Sequence, residues 1–156
     1  MLPISEQIDI DSHWMRKAIE LAEEAEIVKE VPVAALIVRG DEYIASAYNQ
    51  PISSHDPTAH AEIAAIREAG KVLGNYRLNG CTLYVTIEPC AMCVGALIHA
   101  RIKRLVFGAK EPRAGAVVSQ VNLLDQEFFN HAVSWHGGVL ADECARLMSG
   151  FFKRRR

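Results

Sequence analysis

At 156 residues, half of them hydrophobic and 23% charged, the chain is long enough to bury a core and too apolar to be disordered, which predicts one domain spanning residues 1–156. A formal charge of −2 excludes a protein that grips nucleic acid by bulk charge alone. No cationic leader and no uncharged run near the ~20 residues of a membrane span is present, so a soluble cytoplasmic protein is expected, with its four cysteines reduced or metal-bound rather than paired.

In chain order, "SHWMRKAIELAEEA" is apolar at Trp14, Ala18, Leu21, Ala22 and Ala25, the stripe of one helical face, with Ser12 placed to cap it. The run Val33–Val38, the turn at Gly40-Asp41 and the return over Tyr43–Ala47 predict a β-hairpin. "QPISSHD" reads as a polar loop, after which Asp56 and Pro57 suit the cap and first position of a helix that buries Ile63, Ile66 and Ala69. "CTLYVTIEP", "CAMCVGALIHA" and "KRLVFGA" then give strand, helix and strand, a βαβ unit that implies a parallel pair with a right-handed crossover. A loop with a short helix follows, then a weak strand at "HAVSWHGG" and a helix apolar at Leu140, Cys144, Leu147, Met148 and Phe151. The pattern predicts an α/β fold, a three-layer sandwich with a mixed sheet of about five strands between helical layers.

Chemistry concentrates at two helix starts. Cys90 and Cys93, three residues apart, can face one point, and amides at a helix N-terminus favour thiolate over thiol. Alone, Cys-x-x-Cys fits a redox pair as well as a metal site. His60 lies at a second helix start, and two helices that begin at one end of a sheet bring their N-termini together. Those three donors match the ligand count of catalytic zinc with one position left for water. Glu62 is a carboxylate among apolar neighbours, suited to moving protons, although a first-turn glutamate also simply favours the helix dipole. Five bases against one acid in residues 101–113, and the end Lys153-Arg154-Arg155-Arg156, could steer a polyanion.

His-x-Glu followed, 27 residues beyond the glutamate, by Pro-Cys-x-x-Cys resembles the signature of the zinc-dependent cytidine/deoxycytidylate deaminase superfamily. "DPTAHAEI", "NYRL", "TLYVTIEPCAMCVGALIHARI" and "LADECARLMSGFF" are together similar to the bacterial tRNA-specific adenosine deaminases, over nearly the whole chain from Trp14. The resemblance implies a cytidine deaminase-like fold and hydrolysis of adenosine to inosine at the wobble position of a tRNA anticodon. On matching positions His60, Cys90 and Cys93 would hold Zn2+, and Glu62 would pass a proton from water to the purine and its departing amine. Asn49 would contact the flipped base, and Lys110, Arg113, Phe152 and Arg154 are candidate anticodon-loop contacts. A homodimer is implied as well. Ala34, the stretch "ASAYNQ" and Val117-Val118 depart from the family's usual smaller residues and could narrow the pocket. A deaminase of a free guanine or cytosine base is the alternative enzyme, and an RNA-binding subunit with structural zinc the alternative without catalysis.

Overall fold

The computed structural model describes residues 2–155. Helix α1 spans Ile4–Ile27, β1 Ala34–Arg39, β2 Glu42–Tyr48, α2 Pro51–Ser54, α3 Ala61–Leu73, β3 Cys81–Ile87, α4 Ala91–His99, β4 Arg104–Ala109, β5 Ser134–Gly137 and α5 Ala141–Arg154. The five strands form one sheet ordered β2-β1-β3-β4-β5. Strand β1 runs antiparallel to β2 and β3, while β3, β4 and β5 are mutually parallel. This is the expected mixed sheet, with the crossover of the βαβ unit supplied by α4.

Side-chain alternation splits the strands between two cores. Ala35 and Ile37 of β1, Leu83 and Val85 of β3, and Leu105 and Phe107 of β4 face α3 and α4. Leu36, Val38, Tyr84 and Val106 face α1 and α5, meeting Trp14, Met15, Ala18 and Cys144. Because helices cover both faces, these strands read as unbroken apolar runs rather than alternating ones. Strands β3 and β4 end side by side, with Ile87 paired to Ala109, so the residues that follow both emerge at the same end of the sheet.

Three boundaries differ from expectation, each for a physical reason. Helix α1 begins eight residues before Ser12, because its first turns carry Ile4 and Ile8 outward and place Asp11 on the buried face. That aspartate is tolerable there since Arg104 donates to both its oxygens at 2.8 and 2.7 Å, with Tyr84 Oη donating at 2.8 Å and Gln7 Nε2 at 3.0 Å. The polar loop after β2 contains α2, whose carboxylate anchor is distant: buried Glu30 accepts the Ile52 and Ser53 N–H groups at 3.3 and 2.7 Å and the Ser53 hydroxyl at 2.7 Å. Helix α3 starts at Ala61, not Pro57, and buries the small stripe Ala61, Ala65 and Ala69, with Ile63 and Ile66 only half-buried. Asp56 instead closes a turn, accepting the Thr58 N–H at 2.9 Å and its hydroxyl at 2.7 Å.

Candidate metal centre

His60 and Cys90 occupy the same position in their helices. Each is the residue just before the first helical one, in extended conformation, with φ/ψ of −67°/155° and −78°/175°. A residue there aims its side chain back across the helix mouth, toward the positions a capping group would serve. Cys93 is the third residue of α4, so the sulfur of Cys90 reaches the side chain one turn in. Glu62 is the second residue of α3. With His60 outside the helix proper, the two side chains escape the roughly 200° separation that both being helical would impose.

The Nδ1 atom of His60 lies 3.6 Å from the sulfur of Cys90 and 3.6 Å from that of Cys93. The three donor atoms all fall within 4.8 Å of one another. Tetrahedral zinc with Zn–N near 2.0 Å and Zn–S near 2.3 Å sets nitrogen and sulfur about 3.5 Å apart, so the donor set fits that ion in type, number and spacing. Cys93 is fully buried while His60 and Cys90 are partly open, leaving one side of the cluster accessible.

Electrostatics at the cluster favour a cation. A hydrogen bond from the Cys93 thiol, with a further one from His60, pulls the Cys90 thiol down to about 3, so it is a thiolate. Its neighbour Cys93, bonded to that thiolate and desolvated, is pushed upward and keeps the shared proton until a cation takes its place. His60 is raised chiefly by its hydrogen bond to Cys90. Burial dominates at Glu62, which is 4% exposed, and pushes its carboxyl up to about 7.

The other candidate residues fall into two groups. Asn49 follows β2, its N–H donating to Val33 O at 2.8 Å, while the Gln50 N–H donates to Ala59 O at 3.0 Å and ties this stretch to the residue before His60. Lys110, Arg113 and Phe152 line one cavity of about 690 Å³ with Ile87, Met148 and Arg155. It opens where β3 and β4 end. Phe152 is 49% exposed there rather than packed in the core. Arg154 is not brought to this cavity: its guanidinium is bonded to Glu26 of α1, with Nε donating at 2.8 Å. Arg155 lines that cavity and lies 4.0 Å over the Phe151 ring, and Arg156 is outside the described residues. The basic run at the chain end signalled a cation here, but not which of its residues lines the cavity.

Two of the departures that could narrow the pocket point elsewhere. Val117 is buried in the core beneath α4, and Ala34 shares the strand face of Leu36 and Val38, toward α1. Exposed His55 ends α2 in left-handed conformation. Cys81 and Cys144 are buried away from the cluster.

Residues 8–109, which contain all three donors, match the family model of the cytidine and deoxycytidylate deaminase zinc-binding region. The tRNA-specific adenosine deaminase of Haemophilus influenzae is 48% identical over 149 residues, 95% of this chain and 86% of that protein. Its counterpart in Bacillus subtilis is 44% identical over 146 residues, covering 94% and 91%. A solved structure from work on A-to-I editing by tRNA:A34 deaminases at the wobble position of transfer RNA matches with a TM-score of 0.84 at 43% identity, over 86% of this chain and 98% of that one.

Proposed function

The chain belongs to the cytidine and deoxycytidylate deaminase family, within it to the tRNA-specific adenosine deaminases, and we propose that it hydrolyses adenosine to inosine at the wobble position of a tRNA anticodon. The observation that carries the chemistry is a buried carboxylate two residues from a three-donor cluster: Glu62 beside His60, Cys90 and Cys93. We assign those three as the ligands of zinc. When bound, zinc supplies a Lewis acid that lowers the pKa of water at its open position to about 7.

Within the protein, Glu62 passes the two protons of the attacking water in turn, the first to N1 of the purine ring and the second to the amine leaving C6, so that adenosine and water become inosine and ammonia. Burial, which raises its carboxyl above the ordinary carboxylate range, suits a group that must both accept and return a proton. Asn49, held to the residue before His60 by the pairing of Gln50 with Ala59, orients the flipped base. Lys110, Arg113 and Arg155 meet phosphates along the cavity, and Phe152 offers a ring for an unstacked base.

Reverse transcription and sequencing of tRNA after incubation with the protein tests this, A read as G at the wobble position being expected. Ammonia release from guanine or cytosine, with none from an anticodon stem-loop, would replace it with the free-base reading. Helix α4 buries Val94, Leu97 and Ile98 but turns Ala91, Met92 and His99 outward. We assign that outer face to a homodimer, to be checked by light scattering. Among the described residues no helix is long and apolar enough to cross a membrane. We place the action on tRNA in the cytoplasm, where the substrate of the similar tRNA-specific adenosine deaminases is found.

A further inference from the structure

Glu88 stands two residues before Cys90 and is 2% exposed, yet it is not part of the donor group of His60, Cys90 and Cys93. It reaches the segment after β4. The N–H groups of Val117, Val118 and Ser119 donate to its Oε2 at 3.0, 2.8 and 2.9 Å. Its Oε1 accepts the Glu111 N–H at 3.0 Å and the Ser119 hydroxyl. Five donors saturate one carboxylate, which is what a buried charge without a cationic partner requires. The segment is thus wound around a single anion, as backbone amides wrap a bound ion in a nest.

The fit is tight from the other side. A Cβ at Gly115 would lie 2.4 Å from Oε1 and 2.5 Å from Oε2, so only glycine lets the chain pass over this group. Flanking bonds fix the same register: the Ala116 N–H donates to Pro89 O at 2.9 Å, and the Glu88 N–H to Ala109 O at 2.8 Å. Pro89 immediately precedes Cys90. The loop that starts at Lys110 and carries Arg113 is therefore tied, through Glu88 and Pro89, to the residue that presents the first sulfur.

We propose that Glu88 is a positioning residue for the RNA: it holds residues 111–119 in register with Cys90, so that Lys110 and Arg113 meet the anticodon loop at a set distance from the reacting base. This rests on the tRNA deaminase reading. Core packing alone would not call for a charge here, nor for four amides from one loop converging on it.

Two substitutions strain the contact from opposite ends. Glu88→Gln keeps the volume but turns an NH2 group toward N–H donors, and Gly115→Ala leaves Glu88 intact while driving a methyl into it. Either variant is expected to retain zinc and to keep kcat at saturating stem-loop within about threefold. KM for the stem-loop should rise about tenfold or more. Amide exchange at Val117–Ser119 should quicken about tenfold or more, a readout independent of any activity. Ser119→Ala, which removes one donor of five, should show a smaller change of the same kind. Unchanged exchange at 117–119 in both variants overturns the proposal, as does a fall in kcat or zinc content with KM unaltered. A wild-type protein inactive on the stem-loop overturns the substrate reading instead.

Discussion

Replacing Glu62 with Gln preserves the length and packing of the side chain and removes only its capacity to carry a proton. How much activity disappears depends on whether another acid can take over. Among the described residues the buried acids are Asp11, Glu30, Glu62 and Glu88. Asp11 lies on the α1 side of the sheet, engaged by Arg104 and Tyr84. Glu30 is committed to α2 and Glu88 to the loop after β4. None of the three can shuttle at the cluster, so the variant should forfeit the full value of general acid–base catalysis, at the upper end of the usual range. That is about 10⁴-fold, or about 5 kcal/mol of barrier. Single-turnover deamination of an anticodon stem-loop, with zinc content measured on the same preparation, is the assay. Metal should stay at one ion per chain and the stem-loop affinity should stay within about twofold while the chemical step collapses. Glu62→Asp, a methylene shorter, should fall between. A Gln variant within about tenfold of wild type would refute the proton-shuttle role and favour a structural metal.

Stripping the metal with a chelator should lower the thermal midpoint by about 10 °C, as the loss of about 4 kcal/mol of linked binding energy does in a domain of this size, and added zinc should restore it. Burial alone would raise the Asp11 carboxyl, but hydrogen bonds from Arg104 and Tyr84 hold it below its ordinary value. A depressed carboxylate stabilises the fold fully above the unfolded value near 4, and that contribution fades as pH falls through the folded one. Denaturant unfolding should therefore show Asp11→Asn less stable by about 3 kcal/mol at pH 7, with the gap closing below pH 4. Phe152→Ala should weaken stem-loop binding by about 1–3 kcal/mol, and Lys110→Ala should reduce the salt dependence of binding by about one charge. Arg154→Ala, its guanidinium pinned on Glu26, should change binding far less than either; equal losses in a filter-binding series would show that the ion pair opens in the complex.

The layers and the cluster were legible because their signals are local. Continuous apolar runs marked strands covered on both faces, and Gly40, with φ of 63°, marked the hairpin turn. The donors were legible by type and spacing, since Cys-x-x-Cys at a strand-to-helix junction and a histidine at another helix start constrain the chemistry by themselves. The free-base alternative was less separable, because the zinc core is shared; what disfavours it is the 48% and 44% identity to tRNA-specific adenosine deaminases over nearly the whole chain.

What stayed hidden are the carboxylates whose partners are distant or are backbone. Asp11 broke the apolar stripe of α1, and its compensation, Arg104, lies 93 residues on. Glu30 and Glu88 gather amides from segments 22 to 31 residues away, and an amide has no residue type by which to foresee it. The ordinary expectation that a charge is solvated does not hold for these acids, and two of the three lie beside the site. Glu30 holds the helix beside Asn49, and Glu88 holds the loop bearing Lys110 and Arg113. A buried anion fixes a loop more stringently than apolar contact does. Every donor must arrive in place or leave an unpaired charge, so a loop that closes at all closes in one register. Such anchors let loops without regular structure present a flexible substrate to a reacting centre built on two rigid helices.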